Sequence, residues 1–217
     1  MSHARVDLPS AWPLTDATDL RDDLLTAYAD PARRYHDARH LSEVLTRLDE
    51  LDGAGVSFDR VPVLLAAWFH DSVYDGERDA EERSAAWAER ALPGLVADDV
   101  VTEVARLVRL TETHRPEADD PDGCALSDAD LAILAADRGR YEEYAASVRV
   151  EYRHVPDDLF LTGRAAVLED LLAEPHLFHT AYARERWEEP ARANVSAELA
   201  RLASTEPGSD EAGDQHA

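Results

Sequence analysis

His70 and Asp71 stand side by side directly after nine consecutive apolar or proline residues, 61–69. An uncharged run of this length reads as a buried helix and is too short to cross a membrane. An imidazole and a carboxylate at the end of a buried helix cost folding free energy unless something compensates them. A bound metal ion is the simplest compensation. Residues of matching chemistry recur along the chain: His36 and His40 four apart, His114, and Asp128 and Asp130 on either side of Ala129. Side chains four apart share a helix face, and His40 heads a stripe through Val44 and Leu51 that points toward a core. His114 continues a stripe of Val104, Leu107 and Thr111. Imidazoles and carboxylates without thiolates suit Mg, Mn, Fe, Co, Ni or Zn rather than a structural zinc. Each residue also has a plainer reading. A lone core His is ordinarily hydrogen-bonded, Asp130 would serve as an N-cap, and His114 would end its helix against the last carbonyls. The combination around His70-Asp71 is what favours a metal.

Positive charge is concentrated near the same residues. Arg33, Arg34 and Arg39 surround the His pair, and Arg115 follows His114. Bidentate Arg–phosphate contacts would suit all four; the alternative is a solvated helix start with surface ion pairs. Arg149 and Glu151 could form a buried pair supporting the site. The chain as a whole carries a net charge of −24, so an anionic substrate needs such local positive charge. The same balance disfavours nucleic acid and anionic membrane surfaces as partners. Cys124 is the only cysteine, which excludes an internal disulfide and a thiolate-rich metal site.

The elements that must position these residues all read as helices. Apolar periodicity predicts them over 14–28, 35–51, a central helix capped by Asp59 with Pro62 in its first turn, 79–92, 98–113, 127–136, 141–152 and 156–172. A last helix over 177–202 is expected to break at Pro190, and 115–123 reads as a polar loop. No alternating strand pattern occurs, so the class is all-α, one domain over 1–203 followed by a disordered acidic tail, 204–217. With no signal peptide and no apolar run of membrane-spanning length, the expected compartment is the cytoplasm.

The ordered series His40, His70-Asp71, Asp130 resembles the metal signature of the HD superfamily of phosphohydrolases. YHDARH (35–40), AAWFHDSVYD (66–75), ERSA (82–85), LSDADLAIL (126–134), VRVEY (148–152), GRAAVL (163–168) and EPARANVSAEL (189–199) are similar to a bacterial group of metal-dependent HD phosphohydrolases. The likeness spans about residues 10–203. It implies an HD-type helical bundle with a central metal site, ligated by His40, His70, Asp71 and Asp130. Asp130 is preferred to Asp128 because the family's last ligand directly precedes the Leu-type residue of DADL. Tyr-His-x-x-x-His also resembles the first motif of cyclic-nucleotide phosphodiesterases, which implies His36 as a general acid. Asp37 stands where those enzymes carry Asn.

The expected activity is therefore hydrolysis of a small-molecule phosphoester, with a divalent ion activating water. Asp71 would also accept a proton, and His36 would protonate the leaving oxygen. His114 would ligate a second metal or touch the phosphate. Two other classes use the same residues: an HD-fold di-iron oxygenase with His114 as a ligand, and a metal- or ligand-binding module without turnover.

Overall fold

Every side chain of α4 (Arg60–Phe69) from Pro62 to Phe69 is buried. With no charge after Arg60, the helix has no face to give to water, so neighbours must cover it all round. The cover comes from α3 (Ala38–Gly53), α5 (Ala80–Ala91), α6 (Asp98–Leu110) and α7 (Pro121–Leu131). Asp59 caps α4 through the Val61 amide, and Pro62 occupies the first turn, where no intrahelical N–H is required.

The computed structural model describes residues 6–76 and 79–205. Among them the chain is all-α and contains no strand. The remaining helices are α1 (Leu8–Ala11), α2 (Thr18–Tyr28), α8 (Arg138–Glu151), α9 (Asp157–Ala173), α10 (Ala181–Arg186) and α11 (Glu188–Thr205), with a 3-10 turn at Ala132–Ala135. No described helix is long and apolar enough to cross a membrane. The C-terminal third builds a second wall. There α11 packs on the 3-10 turn and on α9, and Arg164, Glu198 and Tyr141 join α8, α9 and α11.

Several boundaries differ from the sequence expectation, each for a local reason. α3 starts at Ala38 rather than 35 because the Asp37 carboxylate accepts from the Arg39 and His40 amides at 2.8 and 3.2 Å. An Asp in that position is a strong N-cap. His36 therefore precedes the helix and does not share a helical face with His40. α6 ends at Leu110, so the stripe that was to carry His114 stops short. His114 instead lies in a turn with a left-handed φ of 52°, its amide donating to Leu110 O.

α7 begins at Pro121, inside the segment expected as loop, because Asp120-Pro121 supplies an N-cap and a first-turn proline together. Gly123 gives the cap room: a Cβ there would displace the Leu110 side chain, at 2.7 Å, and the capping carboxylate. Pro190 does not break the last helix. The break falls at Trp187, after α10 capped by Thr180, and Pro190 sits harmlessly in the first turn of α11. α11 continues through Ser204 and Thr205, which were expected in the tail; residues 206–217 lie outside the described residues.

Candidate metal centre

Four segments meet where α4 ends. His70 is the residue after its last turn, and its Nδ1 lies 2.8 Å from Ala67 O. A carbonyl only accepts, so Nδ1 carries the proton and a neutral ring turns the Nε2 lone pair away from the helix. That Nε2 lies 3.1 Å from His40 Nε2 on α3 and 3.1 Å from Asp71 Oδ2. His40 Nε2 is 3.3 Å from the same Asp71 oxygen and 3.0 Å from Asp130 Oδ1, in the last turn of α7. His70 Nε2 is 3.6 Å from that Asp130 oxygen.

Donor atoms of His40, His70 and Asp71 lie within 4.8 Å of one another, a spacing that could hold a metal ion. Both imidazoles are 2% exposed. Asp71 Oδ2 is buried and makes no hydrogen bond of acceptable geometry, although two imidazole nitrogens stand beside it. Two imidazole nitrogens facing each other across 3.1 Å, with a carboxylate oxygen beside both, are what a cation site offers. The residues fit a metal ion.

The electrostatics show a site that attracts positive charge. Burial pulls the His40 imidazole down, but Asp130 and Asp71 outweigh it and lift the ring to about 9. Burial likewise opposes charge on His70, and Asp71 chiefly overcomes it, raising that ring well above the usual value. Burial pushes the Asp71 and Asp130 carboxyls up, yet the charge of His70 and the neighbouring imidazoles hold both well below the carboxylate range. The cluster holds positive charge between two carboxylates.

His36 occupies the loop before α3, held by a device the sequence hinted at only as a structural pair. Glu151, the last residue of α8, accepts from the amides of Arg34, Tyr35 and His36 at 2.7, 2.8 and 3.1 Å. Its other oxygen lies 2.7 Å from His36 Nδ1. Burial would raise the Glu151 carboxyl, but the His36 contact and these amides hold it at about 2. The ring is stacked on Tyr74 at 3.9 Å and stands 5.8 Å from the His40 ring, centroid to centroid. Arg149 does not pair with Glu151; it bonds the Tyr152 and Val155 carbonyls and Asp157.

His36, His70, Asp71, Tyr74, His114 and Asp130 all line one cavity of about 880 Å³. His114 Nε2 is 3.6 Å from Asp130 Oδ2, and its Nδ1 is buried without a partner. Burial is the main reason its pKa is lowered. Asp128 points elsewhere: fully buried, it accepts from the His179 and Thr180 amides and so anchors the start of α10. His179, which the sequence did not single out, lines the cavity and sets its Nε2 3.0 Å from His114 O. Its only sequence signal is its place beside the N-cap Thr180.

Three of the four arginines expected to receive a phosphate have partners within the protein. Arg33 is 7% exposed and donates to the carbonyls of His36, Asp71 and Ser72, welding the two histidine motifs together. Arg39 pairs with Glu43 and Glu143 and lines a smaller cavity, of about 280 Å³, behind His40 and Asp130. The side chain of Arg34 is not among the residues lining either cavity. Arg115 lines the large cavity but is paired with Glu174 at 2.8 Å. Comparison with protein-family models, with curated proteins and with solved structures returned no match to this chain.

Proposed function

We propose that this protein is a metal-dependent phosphohydrolase of the HD type. The observation that carries the reading is the convergence of His40, His70 and Asp71 donor atoms within 4.8 Å, with Asp130 against His40, at the end of a cavity that His36 also lines. A divalent cation held by His40, His70, Asp71 and Asp130 would supply the Lewis acidity that polarises a phosphoryl oxygen and activates water.

The chain's own residues supply the proton traffic. Asp71, beside the cation, would take the proton that the attacking water loses. Glu151 is ionised and fixes His36 through Nδ1, which leaves Nε2 as the nitrogen able to serve a substrate in the cavity. From a doubly protonated ring, Nε2–H passes to the leaving oxygen as the P–O bond breaks. The stack on Tyr74 keeps the ring from swinging. Water is consumed, and an alcohol and phosphate are released.

His114 supports a second reading. Its unpartnered buried Nδ1 and its approach to Asp130 would suit a ligand to a second ion, and a pair of irons there would serve an HD-type oxygenase.

Metal analysis of protein purified without chelators, together with a phosphoester panel, separates these. Phosphate release is expected to fall by at least about 10³-fold in His70→Ala and in Asp71→Ala, several kcal/mol of transition-state stabilisation. Two irons per chain and no phosphate from any ester would sink the hydrolase reading in favour of the oxygenase. A metal-loaded protein inert in both assays would leave a binding module.

A further inference from the structure

The cavity before the candidate metal centre is far larger than an ion and an orthophosphate need. At about 880 Å³ it lies in the range of sites that enclose whole organic ligands, roughly 300–1,000 Å³. The metal-binding residues occupy one end. The rest is mainly apolar: Leu134 and Val148 on one side, and Leu159, Phe160, Val167 and Leu171 of α9 on the other.

α9 is built unlike the other long helices. It packs chiefly along α11, and only Leu168 among its residues is buried. Leu159 and Val167 remain 61% and 53% exposed, although both line the cavity. Apolar surface left open beside a polar site marks a place where apolar matter binds.

The charges of the lining narrow the class. Arg115 and Arg164 are the arginines among the described lining residues, and both are committed, to Glu174 and to Glu198 with Tyr144. Glu81, Glu112, Asp170 and Glu174 add negative charge to the wall. A di- or triphosphate chain would bring several charges against these carboxylates with no uncommitted guanidinium to receive them. A single phosphate can be met by one cation and the imidazoles at the cluster.

We infer that the substrate is a phosphate monoester of an apolar alcohol, its phosphate at the His40–His70–Asp71–Asp130 cluster and its alkyl or aryl body against α9. This rests on the hydrolase reading above, and binding is therefore measured apart from turnover. The metal-loaded full chain is titrated calorimetrically with ethyl-, butyl-, hexyl- and octylphosphonate, which cannot be hydrolysed. Phosphate release from the matching alkyl phosphates and from a nucleoside triphosphate is followed in parallel. Phosphonate affinity and kcat/KM on the esters should both climb with chain length, up to roughly fourfold per methylene until the compartment is full. Val167→Asp, at an open position that tolerates charge, should flatten both series while circular dichroism and Tm stay unchanged. Affinity independent of chain length, or a triphosphate hydrolysed better than octyl phosphate, would overturn the inference while leaving the hydrolase reading intact. Length-dependent binding without phosphate release from any ester would uphold the apolar compartment and refute hydrolysis.

Discussion

Arg164, Glu198, Tyr141 and Tyr144 form one buried cluster of ionisable groups, and His40, His70, Asp71 and Asp130 form another. In the first, each strong group is answered. Arg164 donates to both Glu198 oxygens at 2.8 and 3.1 Å, Tyr141 O–H donates to Glu198 at 2.5 Å, and Tyr144 O accepts from Arg164 at 3.1 Å. In the second, two imidazole nitrogens stand 3.1 Å from each other and share the same two carboxylate oxygens at 3.0–3.6 Å. A closed network holds helices in place; an open one is prepared for something else to complete it. Burial of charge alone would not separate a structural cluster from a receptive one. Whether each donor has an acceptor of its own does.

The sharpest way to break this contrast is to remove one carboxylate from each cluster. Glu198→Gln leaves Arg164 buried without its counter-ion and should cost about 3–5 kcal/mol by denaturant unfolding. Asp71→Asn in chelator-treated protein should cost less, because Asp130 remains as a counter-ion to both imidazoles, 3.0 Å from His40 and 3.6 Å from His70. Equal losses at the two positions would mean that the second cluster is also a structural network.

A completing cation should show the same contrast from the other side. Divalent metal at one hundred times its Kd should stabilise the parent protein by about 2.7 kcal/mol, read as a Tm increase. In Asp71→Asn that increase should shrink or vanish, while in Glu198→Gln it should persist on a lower baseline. A metal-induced rise unchanged by Asp71→Asn would place the ion elsewhere.

Glu151 tests whether satisfaction can itself be functional. It is as fully hydrogen-bonded as Glu198, but one of its partners is His36. Glu151→Gln should lower kcat roughly 10–100-fold with little change in KM, in line with groups that orient active imidazoles. In a His36→Ala background the same change should add nothing, because Glu151 is argued to act through that ring. Additive losses would make Glu151 a structural residue that happens to touch it.

The sequence made the all-α class legible because long amphipathic stretches, and a fully apolar one at 61–69, leave little choice of period. His40, His70, Asp71 and Asp130 were expected together from the resemblance to the HD signature, and the structure brings the four side chains into one cluster. Helix ends were less so. Asp37 and Asp120-Pro121 carry capping signals, but in a polar stretch these look like any other acidic turn. The arginines were the least legible. Arg33 and Arg39 lie beside the histidine motifs in sequence, yet whether a guanidinium meets a ligand or a carbonyl depends on partners 38 and 104 residues away. Glu151 depends on the same kind of contact, 115 residues from His36.

The smallest predicted effect follows from the Glu151 carboxyl, held at about 2 against an ordinary glutamate value near 4.3. A depressed folded-state value means that the folded protein holds its proton less tightly than the unfolded chain does. The stabilisation is therefore fully present above about pH 4.3 and is lost as the pH falls toward 2. His36 lines the cavity with Glu151 behind it, their side chains 20% and 4% exposed. Solvent screening there brings the effect to about 1 kcal/mol. Urea unfolding of the parent and of Glu151→Gln at pH 6 and pH 3 isolates it. The parent's advantage over the variant should narrow by about that amount at the lower pH, because Gln has no proton to gain. An advantage constant across the two pH values would show that Glu151 holds the 34–36 loop through its backbone amides alone, with no contribution from its charge.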